Sequence, residues 1–256
     1  MNNSTSYHLK TLSLNFDLRI YPRQIRQWRG AFVNMAGREN DLLHNHKVEG
    51  GVHRRYPMVQ YRVINGRAGV FAIDKGIQAV QDVVASFNWN TQWQGRPRTL
   101  QMGHLNLEDH PIHMLPQLRP YRLMDWIPLN SNNYNEWLQA DSYIERIQLL
   151  ERLLVGNIFA FANALEWRLP ERLEVKILNI NKMRKVKIHD TERIAFNIIY
   201  KSNLAIPPNI ALGKGTSFGY GVQRPTLWNG ETIPQAGKPL QKPTSTNNKE
   251  EPQAGK

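Results

Sequence analysis

The Asn65-Gly66 pair restricts the fold of this chain more than any other feature of its sequence. It separates two β-rich runs at residues 58–64 and 68–73. An Asn-Gly pair between such runs is typical of a two-residue β-hairpin turn, because both central residues of that turn need positive φ. We therefore predict two adjacent antiparallel strands in the middle of the N-terminal half.

Helix and strand patterns lie on both sides of this hairpin. Apolar residues alternate with polar ones at residues 7–20, which predicts a strand, and they recur at helical spacing after Pro22 and again at residues 77–87. A further strand is predicted at residues 99–107. The order is then β-α-β-β-α-β, which is the order of a ferredoxin-like unit.

The C-terminal half repeats the beginning of this order. A strand is predicted at residues 121–129, followed by an Asn-rich turn and by a long amphipathic helix at residues 141–167. Three strand-like runs come next, at residues 173–180, 185–189 and 194–200. The predicted fold class is therefore α+β, with two tandem ferredoxin-like (RRM-like) domains and a C-terminal glycine-rich loop.

The predicted domains are residues 1–110 and residues 117–227, joined by a linker around Pro111. Residues 228–256 are rich in proline, contain few large apolar side chains and repeat the pentapeptide PQAGK. Such a segment cannot bury enough surface to offset the entropy of ordering it. We predict that this tail is disordered.

The charge of the chain predicts the class of its partner. Its 256 residues carry 33 Lys and Arg against 21 Asp and Glu, a formal net charge of +12, which favours nucleic acid or an anionic membrane surface. Cysteine is absent, so a disulfide framework, a thiolate nucleophile and a Cys-ligated zinc are excluded. No run approaches the about 20 apolar residues of a membrane span, and no signal-peptide pattern begins the chain. We expect a soluble, cytoplasmic protein.

Residues 213–221 read GKGTSFGYG, with four glycines around one lysine and two aromatic residues. Glycine lacks a Cβ atom and permits positive φ, so backbone N–H groups can press against an anionic ligand beside Lys214. The spacing differs from that of the Walker loop and of the dinucleotide fingerprint, which excludes the two common nucleotide loops. Two interpretations stay open: an anion-binding loop, and a glycine-rich hairpin with no ligand.

Residues 38–67 form a second dense region, with histidines among basic side chains. His44, His46 and His53 lie between the predicted first helix and the hairpin, and loops on a rigid scaffold commonly carry binding and catalytic residues. The unperturbed pKa of histidine, about 6.5, suits proton transfer at neutral pH. Three interpretations stay open: acid–base residues in a cationic patch, ligands of a metal ion, and surface histidines with no role.

A further basic run lies in a predicted hairpin of the second half. Its members are Lys176, Lys182, Arg184, Lys185, Lys187 and Arg193. The run predicts either an edge strand guarded by lysine or a surface that contacts the phosphates of a structured RNA. Phosphate contacts of this kind position an RNA without reading its bases.

Several motifs together resemble the CRISPR repeat-processing endoribonucleases of the RAMP superfamily, in their two-histidine branch. The glycine loop, with NLAIPP before it at residues 203–208, is similar to the signature of the superfamily. Residues 121–133 are similar to the start of the second domain of these enzymes. Residues 28–32 (WRGAF), 42–46 (LLHNH) and 56–61 (YPMVQY) are similar to the first domain of the two-histidine branch.

The resemblance implies cleavage of precursor CRISPR RNA within each repeat, with no metal and no cofactor. The 2′-OH beside the scissile phosphate attacks, and the products are a cyclic (or 3′) phosphate and a 5′-OH. His46 is then the base for the 2′-OH, and His44 is the acid or a positioning partner. Lys47, Arg54 or Arg38 stabilises the charge that develops on the phosphorane.

The resemblance also implies which residues bind RNA. They are Gly213, Lys214, Gly215, Gly219 and Gly221 of the glycine loop, with Arg38, Lys182, Arg184, Lys185 and Lys187 as cationic contacts. The expected partner is CRISPR repeat RNA, as precursor and as processed guide RNA, and no membrane. A homodimer and an association with a CRISPR effector complex are further partner hypotheses.

Two other functions stay open beside the endoribonuclease: a non-catalytic RNA-binding subunit of a CRISPR effector complex, and a metal-dependent nuclease. Many relatives of the implied family carry a tyrosine in the first helix, where this chain has Trp28. Tyr56 is a substitute for that hydroxyl or a residue of the core.

Overall fold

The computed structural model describes residues 6–37, 40–44, 56–86, 89–188 and 191–226. The predicted disordered tail lies outside the described residues. The strands are β1 (Ser6–Arg19), β2 (Val59–Ile64), β3 (Arg67–Ile73), β4 (Asn90–Trp93), β5 (Arg96–Thr99), β6 (Met102–Trp126), β7 (Val175–Ile188), β8 (Thr191–Leu204) and β9 (Val222–Pro225). The helices are α1 (Ile25–Ala36), α2 (Asp41–His44), α3 (Lys75–Ala85), α4 (Ser131–Gln139) and α5 (Tyr143–Ala164).

The N-terminal unit has the strand order β2-β3-β1-β6, and every neighbouring pair is antiparallel. β2 and β3 are joined by the predicted hairpin turn, in which Asn65 has a φ of 52° and Gly66 a φ of 74°. Helix α1 lies between β1 and β2 in the chain, and α3 follows β3. This is the ferredoxin-like order, and it confirms the predicted β-α-β-β-α-β unit.

Strand β6 is 25 residues long and belongs to both units. Its first half pairs with β1, and its second half pairs with β8 and β9, so the second unit has the order β9-β6-β8-β7. The predicted linker around Pro111 is therefore wrong, because Pro111 lies within the strand, opposite His8. Among the described residues, this part of β6 has a neighbour on one side, and such an edge tolerates a residue without an N–H.

The second unit differs from the prediction in two places. The predicted Asn-rich turn is helix α4, in which the side chain of Asn130 caps the amide of Asn133 at 2.8 Å. The runs at residues 173–180 and 185–189 form the single strand β7, which stays paired with β8 through two register shifts. As predicted, the glycine loop follows β8; it contains a short 3-10 turn and lies where a complete ferredoxin-like unit has its second helix.

The buried apolar side chains form two main cores, one within the first unit and one that joins both units. In the first unit the rings of Phe16, Trp28 and Phe32 lie 5.2 to 6.2 Å apart, and the Trp28 indole donates to the carbonyl of Gly69 at 2.9 Å. Replacing such a ring by alanine lowers the free energy of unfolding by about 3–5 kcal/mol. Packing in the core is therefore sufficient to explain a tryptophan at position 28. In the second unit α5 packs on the sheet around Phe196. No helix in the described ranges combines the length and the apolar character that a membrane span needs.

Candidate nucleic-acid interface

The glycine loop, residues 213–221, lies between the two units. On one side its backbone is bound to the chain just after β6, where the Lys214 N–H donates to the carbonyl of Ile127 at 3.0 Å. On the other side the guanidinium of Arg29, from α1, lies 5.1 Å from the centroid of the Phe218 ring. The loop therefore contacts both units and is held by both.

Two glycines of this loop are required by the packing of the chain against itself. A Cβ atom at Gly221, whose φ is 67°, would lie 1.9 Å from the carbonyl oxygen of Leu212. A Cβ atom at Gly213, whose φ is 90°, would lie 2.7 Å from Cδ1 of Trp126. No side chain fits at these distances. The glycine pattern thus has a cause within the protein, and the approach of an RNA backbone to the same glycines stays a prediction.

A cleft of about 500 Å³ opens beside the loop, and four arginines line it: Arg23, Arg62, Arg184 and Arg224. We call it the arginine cleft. The one carboxylate in its lining, Asp125, accepts a hydrogen bond from Nε of Arg184 at 2.8 Å, which raises the pKa of Arg184. Among the described residues no carboxylate forms an ion pair with the other three arginines. The cleft therefore carries an excess of positive charge.

Four separate elements supply these arginines. Arg23 lies in the 3-10 turn before α1, Arg62 on β2, Arg184 on β7 and Arg224 on β9. Arg184 is one of the predicted RNA contacts, whereas the other three are missing from that prediction. No local pattern links them, because they converge through the pairing of distant strands and the packing of the two units.

Arg62 is the most buried of the four, with 6% of its surface exposed. Its guanidinium lies 4.3 Å from the centroid of the Phe71 ring, and its Nη2 donates to Oε1 of Gln60. Burial lowers the pKa of Arg62 to about 9, so the side chain is still charged at neutral pH.

The predicted basic run is divided between the two faces of β7. Pairing with β8 is regular beyond Lys182, so successive side chains point to opposite faces of the sheet. Lys182 and Arg184 share the face of the arginine cleft. Lys185 and Lys187 lie on the other face, where Lys185 pairs with Glu192 at 3.2 Å. The run is therefore two surfaces rather than one.

Lys214, in the glycine loop, is exposed on the surface of the protein. Partial burial lowers its pKa, and the nearby positive charge of Arg193 lowers it further. Two like charges held close together are stabilised when a polyanion lies over them.

None of the side chains predicted to be catalytic is among the described residues. Arg38, His46, Lys47 and Arg54 lie outside the described residues, as do His53 and the side chain of His44. The backbone of His44 is described, at the end of α2. In the described ranges, no three His, Asp or Glu side chains are arranged to hold a metal ion.

The residues that flank 45–55 on both sides are packed in the protein. Before this segment, Leu43 is buried in the core of the first unit, and its carbonyl accepts a hydrogen bond from the Tyr61 hydroxyl at 2.7 Å. After it, the ring of Tyr56 lies 5.3 Å from that of Phe161 on α5. Tyr56 is thus packed between the units, and burial raises its pKa to about 12, which favours the interpretation of Tyr56 as a core residue.

Comparison with known proteins identifies the relatives of this chain. Family models described as the Cas6b N-terminal domain and the Cas6b C-terminal domain match residues 7–111 and 113–226. An uncharacterised protein of Methanocaldococcus jannaschii is 32% identical over 96 residues, which are 38% of this chain. The chain spans 64% of the length of that relative.

Solved structures share the fold. A crystal structure of Cas6b has a TM-score of 0.74 at 22% identity, covering 86% of this chain and 100% of that one. A crystal structure of the CRISPR RNA processing endoribonuclease Cas6b has a TM-score of 0.63 at 21% identity, covering 85% and 98%. Csf5, a type IV Cas6 crRNA endonuclease, has a TM-score of 0.53 at 12% identity, covering 86% and 100%. At these identities the likeness concerns the fold.

Proposed function

This chain belongs to the Cas6b family, and on that premise we propose that it is a metal-independent endoribonuclease that cleaves CRISPR precursor RNA within its repeats. The observation that carries the proposal is the family match over both units, at residues 7–111 and 113–226. The arginine cleft supports it, because neutralising phosphates with arginine and lysine supplies most of the affinity for an RNA backbone.

RNA lies in the arginine cleft and along the glycine loop in this proposal. Arg184 and Lys182 meet phosphates on the cleft face of β7, and Lys214 adds its charge from the loop. The remaining proposed contacts are Gly213, Gly215, Gly219 and Gly221 of the loop, Arg38, and the lysines Lys185 and Lys187. Because Lys185 and Lys187 lie on the opposite face of β7, they contact a different part of the RNA from Arg184. After cleavage the processed guide RNA stays bound, and a CRISPR effector complex receives it.

Cleavage in this proposal uses the 2′-OH next to the scissile phosphate as the nucleophile. His46 removes its proton, and His44 protonates the leaving 5′-oxygen or positions His46. Lys47 or Arg54 neutralises the charge on the phosphorane. The oxygen–phosphorus bond to the 5′-oxygen breaks as the bond to the 2′-oxygen forms, leaving a cyclic phosphate and a 5′-OH.

The test is an assay with labelled repeat RNA from the source organism's CRISPR arrays, in excess EDTA. One substrate is all-ribose and the matched control carries a single 2′-deoxy nucleotide at the cleavage site. We expect cleavage of the first substrate and none of the second.

Each other outcome contradicts part of the proposal. Cleavage that requires an added divalent metal contradicts metal independence. Cleavage of the deoxy substrate contradicts attack by the 2′-OH. Tight binding of both RNAs without cleavage identifies a non-catalytic RNA-binding subunit instead.

A further inference from the structure

We propose that Arg62 binds a phosphate of the RNA in the arginine cleft and that Gln60 is its positioning residue. This inference rests on the proposed function. Arg62 lines the cleft next to Gly219 of the glycine loop, where its Cγ would lie 3.7 Å from a Cβ at that glycine. It therefore occupies the floor of the cleft, under the loop.

The charge of Arg62 has no counter-charge in the part of the chain that the structure describes. No carboxylate there bonds to it, and its Nε atom is buried without a hydrogen-bond partner. Asp125, the acid of the cleft, is already bound to Arg184. A buried cation without a counter-charge destabilises the free protein, and an anion that enters the cleft reduces that cost.

Contacts on several sides hold the guanidinium in place. Phe71 covers one of its faces, and Gln60 accepts from its Nη2. The amide nitrogen of Gln60 donates in turn to the Tyr56 hydroxyl and to the Pro57 carbonyl, each at 3.1 Å. Because Gln60 is held at its other end, Arg62 is already oriented before a ligand arrives, which lowers the entropy lost on binding.

The surrounding charges favour an RNA backbone over an isolated anion. Arg23, Arg184 and Arg224 line the same cleft, so a ligand with one negative charge would leave most of these cations unpaired. A strand of RNA presents one phosphate per nucleotide, and the fork of guanidinium N–H groups matches two oxygens of a phosphate. An acidic peptide lacks this regular tetrahedral pattern.

The test measures the binding of a repeat RNA with a 2′-deoxy nucleotide at its cleavage site, at several salt concentrations. For Arg62→Met we expect about tenfold to hundredfold weaker binding. The slope of log K against log salt falls in magnitude by about 0.7, as for one lost phosphate contact on single-stranded RNA. Arg62→Lys keeps the charge but not the fork, so it keeps the slope and binds with intermediate affinity. The control is Arg152→Gln, which removes an exposed arginine paired with Glu136 and leaves both quantities unchanged.

Thermal unfolding separates a binding role from a structural one. Since methionine removes a buried unpaired charge, free Arg62→Met should unfold at or above the wild-type temperature, and RNA should stabilise it less than it stabilises the wild type. Wild-type affinity and salt slope in Arg62→Met overturn the inference. If Arg62→Met does not fold, wild-type affinity in Arg62→Lys overturns it.

The proposed function and this inference fail in different ways. A wild-type protein that cleaves repeat RNA, with an Arg62→Met variant that binds it normally, overturns this inference alone. A wild-type protein that neither binds nor cleaves repeat RNA overturns both.

Discussion

Two cavities lie at the junction of the units, and they differ in charge more than in size. The larger, of about 900 Å³, is lined by two acids and two bases: Asp74, Glu166, Lys75 and Arg168. In it Lys75 pairs with Glu166 at 2.5 Å, and the Tyr7 hydroxyl donates to Asp74. The arginine cleft is smaller, at about 500 Å³, but it has four arginines and one carboxylate.

The two cavities differ in the balance of their charges, and this difference, rather than volume, is our reason for placing RNA in the arginine cleft. In the larger cavity each acid has a partner. The hydrogen bond from Lys75 lowers the pKa of Glu166. Burial is the main cause of the raised pKa of Tyr7, and its hydrogen bond to Asp74 is the second cause. In the arginine cleft Arg62 is buried, its Nε atom has no hydrogen-bond partner, and no carboxylate in the described ranges is bound to it. A buried cation without a counter-charge is unfavourable, and we expect a bound polyanion to offset that cost.

The largest effect is expected from a substitution of His46. This substitution tests whether the RNA that binds in the arginine cleft is cut by the residues proposed as catalytic. We expect His46→Ala to slow cleavage about 100-fold or more, because a general base is lost, while repeat RNA binds as before. Single-turnover cleavage and binding of the deoxy RNA measure the two quantities. His8→Ala, at an exposed histidine paired with Asp109, is the matched control. Normal cleavage by His46→Ala would show that another group is the base.

The second prediction compares the contributions of the two cavities to RNA binding. Arg184→Gln with Arg224→Gln should weaken RNA binding by about a hundredfold and lower the salt slope by about 1.4, as for two phosphate contacts. Lys75→Gln with Arg168→Gln removes the same charge from the larger cavity and should change affinity less than about twofold. Equal losses for both pairs would mean that net charge, not the cleft, attracts RNA.

The third prediction concerns the loop that borders the arginine cleft. Gly221→Ala should destabilise the protein by about 2–4 kcal/mol, because the added Cβ meets the Leu212 carbonyl. Gly95→Ala is the matched control: its φ is 76° but nothing lies within 4 Å, so we expect a loss of about 1 kcal/mol. Denaturant unfolding measures both. Equal losses would show that the loop's shape does not depend on this close approach.

The smallest effect is a pH dependence that arises from Arg62 in the arginine cleft. Arg62 is protonated below its pKa of about 9, so its contribution to RNA binding is present at neutral pH and is lost as the pH rises through 9. The affinity ratio of wild type to Arg62→Met for the deoxy RNA should therefore shrink between pH 8 and 10. Since burial depresses this pKa below the ordinary value of arginine, the stability of the free protein should rise with pH above about 9. A ratio that is constant with pH would contradict the assignment.

Much of the fold could be read from local sequence patterns. The Asn65-Gly66 turn, the helix after Pro22 and the long helix α5 lie where predicted, and the family drawn from the motifs is confirmed. The errors lie where tertiary pairing overrides local signals: Pro111 indicates a linker but lies in β6, and the asparagines after residue 129 indicate a turn but begin α4. The domain boundaries and the roles of the two histidines stay predictions.

The sequence by itself determined the two ferredoxin-like units, the basic charge of the chain and the family, because periodicity, composition, turn chemistry and motif spacing are properties of the sequence alone. Only the tertiary structure decided which cations lie together. It divided the basic run of β7 between two faces and brought Arg23, Arg62 and Arg224 to Arg184. It also showed that Gly213 and Gly221 accommodate the protein's own chain. The reason is physical: charge compensation and close approach depend on distances in space, and strand pairing sets those distances between residues far apart in the chain.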